Sequence, residues 1–259
     1  MHSEVRYNKF THGIFLTGNT LMAGDMNILS WWAMAPDRGT RDAWRQWATD
    51  DSLAAEYQGV LPGCSHIPMM SLRRMSIGTR LAVESGLILL NDYQADMAIF
   101  TSRHGELERT HKILRHLHQE QPLSPTDFAM SVHNTAAGWL TITAKNTLPT
   151  TSLAAGADSF QQGMIEAQAL LATGSAERVL LIDFDGIVPE VYRPFAPESS
   201  VPYAVALLLE SGGTLHCQVT TTEQANRHEP QGLAFLRGWL SADDEFTVPG
   251  PRHDWSWKR

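Results

Sequence analysis

The nearly continuous apolar run from Arg178 to Phe184 constrains this chain more than any other feature of its sequence. It is far too short for a membrane span, which takes about 20 residues, as are Leu87 to Leu90 and Val205 to Leu209. It also lacks the polar alternation of a strand with one wet face, so it reads as a strand covered on both sides. Such a strand needs helices packed over its sheet, and the neighbouring stretch supplies one. Ala157 to Ala172, rich in Ala, Gly and Gln, predicts a helix that Gly174 stops.

Short strand-like runs and longer helical ones alternate along the rest of the chain. Asn27 to Met34 predicts a strand ended by Ala35-Pro36-Asp37, after which Thr40 caps a short helix carrying Trp44 and Trp47. Gly59 to Gly63 predicts a loop. Ser76 caps a helix from Ile77 to about Asn91, where Ala82 and Gly86 permit close packing, and Asp96 to Ser102 follows as a buried strand. Glu106 to Gln119 is helical, and Ser124 starts a further helical segment with Asp127 near its N-terminus. Trp139 to Thr143 alternates weakly. Tyr203 to Glu210 and Leu215 to Thr222 predict two strands paired through the Gly212-Gly213 turn. This order implies an α/β fold, a mixed β-sheet covered by helices.

Residues 1–25 read as an N-terminal extension, because the patterned sequence begins at Met26; Met1, Met22 and Met26 are all candidate starts. Residues 26–259 then form one domain. With 43% hydrophobic and 19% charged residues, the chain is not disordered as its main state. Its 20 Lys and Arg against 28 Asp and Glu give a net charge of -8, which argues against non-specific nucleic-acid binding. Cys64 and Cys217 lie in no metal-type spacing and read as reduced thiols of a cytoplasmic protein with no membrane span.

Generic chemical motifs are weak here. His104, Glu108 and His111, at i, i+4 and i+7, could share a helix face as metal ligands, but the charges of Glu106, Arg109 and Lys112 around them favour a solvated face. Asp183 and Asp185 could hold a divalent ion at a strand end, and a turn with solvated carboxylates is the plainer expectation. Ser152 could be imagined as a nucleophile at a strand-to-helix turn, yet the flanking glycines of such an elbow are absent. Neither GxGxxG nor GxxxxGK[ST] occurs, so no dinucleotide or nucleotide cofactor is expected, and no metal.

A more specific pattern spans residues 124–185. Ser124-Pro125, Ser131-Val132-His133-Asn134-Thr135-Ala136-Ala137-Gly138, Thr151-Ser152-Leu153-Ala154-Ala155-Gly156 and Arg178-Val179-Leu180-Leu181-Ile182-Asp183 follow one another in that order. Together they resemble the N-terminal half of a β-ketoacyl synthase of the thiolase fold. The match extends over residues 26–259 to the short synthase-like proteins of aryl polyene and related fatty-acid-like pathways. It is carried there by Ile28-Leu29-Ser30-Trp31, Ile67-Pro68-Met69 with Arg73-Arg74, Ser102-Arg103-His104-Gly105-Glu106 and Arg252-His253-Asp254-Trp255-Ser256-Trp257.

The resemblance implies about one half of a ketosynthase fold and puts Leu153 at the nucleophile position, where an alkyl side chain forms no thiolate. The histidines of the synthase's C-terminal half have no counterpart before Arg259, so no catalytic residue is expected. His133, just before the family's asparagine, is expected to be structural. The role implied is that of a chain length factor, a non-catalytic paralogue that heterodimerises with a full-length ketosynthase and shapes its acyl tunnel. Ser131, His133, Asn134, Thr151, Ser152 and Leu153 would then lie at the partner interface. Leu107, Thr110, His111 and Leu114 would gate the tunnel, with Arg73, Arg74 and Arg80 offered to an acidic acyl carrier protein. The competing readings are a thioesterase or acyltransferase using Ser152, and an acyl-binding module.

Overall fold

The computed structural model describes residues 26–50, 59–196, 201–221 and 229–259. The proposed extension at 1–25 lies outside them. Its centre is a five-stranded mixed sheet in the order β1-β5-β4-β2-β3, where β1 is Met26–Met34, β2 Met97–Thr101, β3 Thr150–Leu153, β4 Arg178–Asp185 and β5 Tyr203–Ser211. β3, β2 and β4 run parallel, whereas β5 is antiparallel to both β4 and β1.

The side-chain alternation of β4 and β5 divides the interior into two layers. Val179 and Leu181 of β4, with Val205, Leu207 and Leu209 of β5, face one cluster with Trp44, Phe160, Phe235, Trp255 and Trp257. Leu180, Ile182 and Phe184 face the other, with Leu81, Ala82, Leu89 and Leu140. The first cluster is closed by helices α1 (Arg41–Thr49), α7 (Ser159–Ala172) and α8 (Gln231–Leu240), and by a second sheet ordered β6-β8-β7. In that sheet β6 is His216–Thr221, β7 Glu245–Val248 and β8 His253–Lys258. The second cluster is closed by α3 (Ile77–Asp92) and α6 (Thr135–Ala144). Both faces of the central sheet are thus covered, as the apolar run at β4 requires.

The three predicted caps form. Thr40 Oγ1 accepts from Ala43 N at 3.2 Å, Ser76 Oγ from Thr79 N at 3.3 Å and Ser124 Oγ from Asp127 N at 3.2 Å. The short helices α2 (Met69–Leu72) and α5 (Pro125–Ala129) precede α3 and α6, and α4 spans Leu107–His118. The expected close packing of α3 is present at Gly86, where an added Cβ would lie 2.8 Å from Ile182 Cδ1 and 2.9 Å from Leu140 Cδ1. Gly86→Val is therefore expected to destabilise the fold by about 3 kcal/mol through overpacking, read as a lower urea midpoint at unchanged slope. An unchanged midpoint would show that the α3–β4 contact has slack.

The weak alternation from Trp139 to Thr143 belongs to α6, where Ala136, Trp139 and Leu140 recur at helical spacing and are buried together. One expectation fails. Tyr203 to Glu210 and Leu215 to Thr222 do not form a hairpin. β5 is already paired on both sides, by β1 and β4, so it has no edge to offer, and the chain turns away through Gly212 and Gly213 (φ 81° and 110°). β6 pairs with β8 instead, and Thr222 falls outside the described residues.

Candidate functional site

The residues singled out in the sequence gather around the C-terminal ends of the parallel strands and along α4. Leu153 ends β3, opposite Thr101 of β2, and is half-buried. β3 is one of the two edge strands of the sheet, with no strand on its outer side among the described residues. Ser152 Oγ is buried without a hydrogen-bond partner among the described residues, so none of them is bonded to it as the base that a serine nucleophile requires. Ser131 Oγ donates to Phe128 O at 2.8 Å, and His133 Nε2 lies 3.1 Å from Ser102 O, a link to the end of β2. Asn134 is exposed at the start of α6. Phe128, Val132 and Ile142 on the same stretch of chain are 69%, 49% and 68% exposed, an unusual display for large apolar side chains.

Asp183 and Asp185 correct the expectation of solvated carboxylates, since each is only 2% exposed. Both side chains point to the α7–α8 side of the sheet, as does Tyr203 in β5. Asp183 accepts from the hydroxyls of Thr101 at 2.6 Å and Tyr203 at 2.7 Å, and Asp185 accepts from Ser102 Oγ at 2.6 Å and His104 N at 2.9 Å. A Cβ at Gly232 would collide with the Asp183 carboxylate, so the first turn of α8 lies directly on it. Burial pushes Asp183 up to about 7 and raises Asp185 above the usual carboxylate range. Burial also lowers His104 below the ordinary histidine value. The hydroxyl partners were not recognised from the sequence. Their trace is that Thr101, Ser102 and Tyr203 are polar positions at the ends of otherwise apolar strands.

The proposed metal face does not assemble. His104 precedes α4 rather than lying on it, and among the described residues no three His, Cys, Asp or Glu side chains converge on one point. α4 is instead anchored by a charged network. Arg109 donates to Glu106 at 3.3 Å, to Asp127 at 2.7 Å and to Arg74 O at 2.9 Å. Buried Glu106 also accepts from Ser76 Oγ at 2.7 Å, and Lys112 reaches Asp127 at 2.7 Å. The Lys112 hydrogen bond holds the Asp127 carboxyl below its ordinary range. No residue of α4 is buried. Leu107, Thr110 and His111 are half-covered, His111 sits edge-on to Tyr192 at 5.5 Å, and Leu114 is 50% exposed. Arg73 and Arg74 are exposed, whereas Arg80 is turned back to Met75 O at 3.0 Å.

The description "Beta-ketoacyl synthase, N-terminal domain" matches residues 44–258. The chain belongs to the β-ketoacyl synthase N-terminal domain family. Among solved structures it is similar to a chain of the ketosynthase ApeO in complex with its chain length factor ApeC from Xenorhabdus doucetiae. The identity is 43%, the TM-score 0.85, and the match covers 90% of this chain and 99% of that one. The ishigamide ketosynthase/chain length factor matches at 18% identity and TM-score 0.63, covering 76% of this chain and 68% of that one. A β-ketoacyl synthase from Burkholderia phymatum STM815 matches at 14% and 0.55, over 72% and 59%. No curated protein matches the chain. The thiolase-like ketosynthase fold is thereby established, and the chain corresponds to about half of a ketosynthase. In this family member both thiols are poor nucleophiles: burial pushes Cys64 up to about 11 and Cys217 up to about 12. No helix among the described residues is long and apolar enough to cross a membrane.

Proposed function

We propose that the chain is a non-catalytic, chain-length-factor-like subunit. It pairs with a full-length ketosynthase in the cytoplasm and shapes the acyl tunnel in aryl polyene or related fatty-acid-like biosynthesis. The observation that carries the reading is the edge strand β3, which ends in Leu153 where the family resemblance puts the nucleophile. Beside it, α5, α6 and their link expose Phe128, Val132 and Ile142, an apolar surface suited to a permanent partner. Trp139 Nε1 and Thr143 Oγ1 of α6 join Ser152 Oγ as buried polar atoms without partners among the described residues. Similarity to a chain of the ApeO–ApeC complex supports the same role. The growing acyl chain would arrive on a carrier protein engaged mainly by the ketosynthase, with Arg73 and Arg74 offering it a lesser contact.

Intact-mass analysis tests the non-catalytic part. Incubated with an acyl-thioester or a cysteine-directed synthase inhibitor, the chain is expected to gain no mass while its ketosynthase partner is labelled. An acyl adduct mapped to Ser152 would overturn the reading in favour of a hydrolase.

A further inference from the structure

The chain between the end of β2 and the start of α4 is wound around one buried carboxylate. Asp185 Oδ1 accepts from Ser102 Oγ at 2.6 Å and from His104 N at 2.9 Å, and Asp185 Oδ2 accepts from Arg103 N at 3.3 Å. Ser102 Oγ accepts in turn from Gly105 N at 2.7 Å. Every backbone N–H from Arg103 to Gly105 is thus satisfied by Asp185, directly or through the Ser102 hydroxyl. These amides have left the ladder of β2 without entering α4, so a side chain has to supply their acceptors. The turn closes at Gly105 (φ 53°), where an added Cβ would stand 3.0 Å from His133 Cδ2. Two further bonds hold it from the other side: His133 Nε2 lies 3.1 Å from Ser102 O, and Ser102 N donates to Leu153 O at 3.4 Å. α4 follows at once, with Leu107 N donating to His104 O at 3.1 Å.

We propose that Asp185 is the positioning residue of α4: working through Ser102, it fixes where the helix leaves the sheet and hence where Leu107, Thr110, His111 and Leu114 stand. Its acceptor role does not depend on its charge, since a carboxyl group protonated on Oδ2 still accepts at Oδ1. The other anchors of α4 lead elsewhere. Glu106 holds the helix to Ser76 at the start of α3, and Arg109 holds it to Asp127 of α5 and to the Arg74 carbonyl. Asp185 ties it to β4, a strand paired on both sides and buried along nearly its whole length. A supporting tie of this kind keeps a site from loosening by the 1 Å or so that blurs its selectivity. Asp183, two residues earlier on the same strand face, bonds Thr101 and Tyr203 within the sheet instead. The consequence for product length rests on the proposed tunnel role of α4.

The test uses the full-length chain co-expressed with a ketosynthase and mass spectrometry of the carrier-bound products. Asp185→Leu and the milder Ser102→Ala are expected to broaden the product-length distribution, the share of the main product falling about twofold or more while the complex still co-purifies. Asp185→Asn keeps an acceptor oxygen for Ser102 Oγ and His104 N, and is expected to give the distribution of the unsubstituted chain. Tyr203→Phe removes a partner of Asp183 inside the sheet, so it is expected to lower the unfolding temperature and leave the distribution unchanged. Hydrogen exchange of the peptide spanning Arg103 to Gly105 reads the tie without any product, and is expected to quicken about tenfold in Ser102→Ala. Unchanged exchange there, or an unchanged distribution in both Asp185→Leu and Ser102→Ala, would overturn the proposal. Equal broadening by Tyr203→Phe would also overturn it, because general softening of the strand ends would then suffice. Thr110→Phe checks the tunnel role separately. If it shifts product length and Asp185→Leu does not, the positioning role alone falls; if neither does, the tunnel reading falls and takes this inference with it.

Discussion

Leu153→Arg is expected to abolish co-purification of this chain with a co-expressed ketosynthase, and Thr151→Arg to do the same. Both residues stand on one face of β3, two apart, and both are half-covered in the isolated chain, so either arginine can be tolerated before pairing. If β3 and its apolar surroundings are the interface, pairing buries an unmatched guanidinium. Leaving one member of an ion pair alone in a buried place costs about 3–5 kcal/mol, or more than a hundredfold in affinity. A permanent interface of this kind buries well above about 2,000 Å², so its loss should also expose the partner to aggregation. Glu245→Arg on β7, an exposed position in the second sheet, serves as the control and should co-elute normally. Normal co-elution of Leu153→Arg and Thr151→Arg would place the interface elsewhere.

The parts of the fold legible in the sequence are those where one local rule decides. Thr40, Ser76 and Ser124 mark helix starts because a hydroxyl before a helix has an orphan N–H to satisfy, and all three do so. The run at β4 reads correctly because an uninterrupted apolar strand needs cover on both faces. The failures came where non-local pairing decides. Nothing near Gly212-Gly213 reveals that β5 is already flanked by β1 and β4, so the glycine pair mimics a hairpin turn. The same holds for the acidic pair. Asp183 and Asp185 look like a solvated turn until Thr101 and Ser102, some eighty positions earlier, are brought against them. The family resemblance, by contrast, was carried by ordered short motifs, and the match over residues 44–258 supports it.

The largest expected effect on product lies in α4. Arg109 turns one side of this helix inward, bound to Glu106, Asp127 and the Arg74 carbonyl. At 3.6 residues per turn, the face bearing Leu107, Thr110, His111 and Leu114 is centred about 150° away from Arg109. The C-terminal part of that face points outward, with Leu114 50% and Leu117 54% exposed, while Leu107, Thr110 and His111 are half-covered within the chain. An amphipathic helix with its leucines half in solvent is short of a covering surface. In the proposed complex the ketosynthase and its acyl chain provide that surface. Thr110→Phe is then expected to shorten the carrier-bound product by filling tunnel volume, and Leu114→Ala to admit a longer one, with the complex intact in both cases. Because neither side chain is buried in the chain itself, neither change should lower its own stability by more than about 0.5 kcal/mol. Mass spectrometry of the carrier-bound products reads the outcome. An unchanged distribution in both variants, with the complex formed, would remove α4 from the tunnel and leave its apolar face to the docking surface alone.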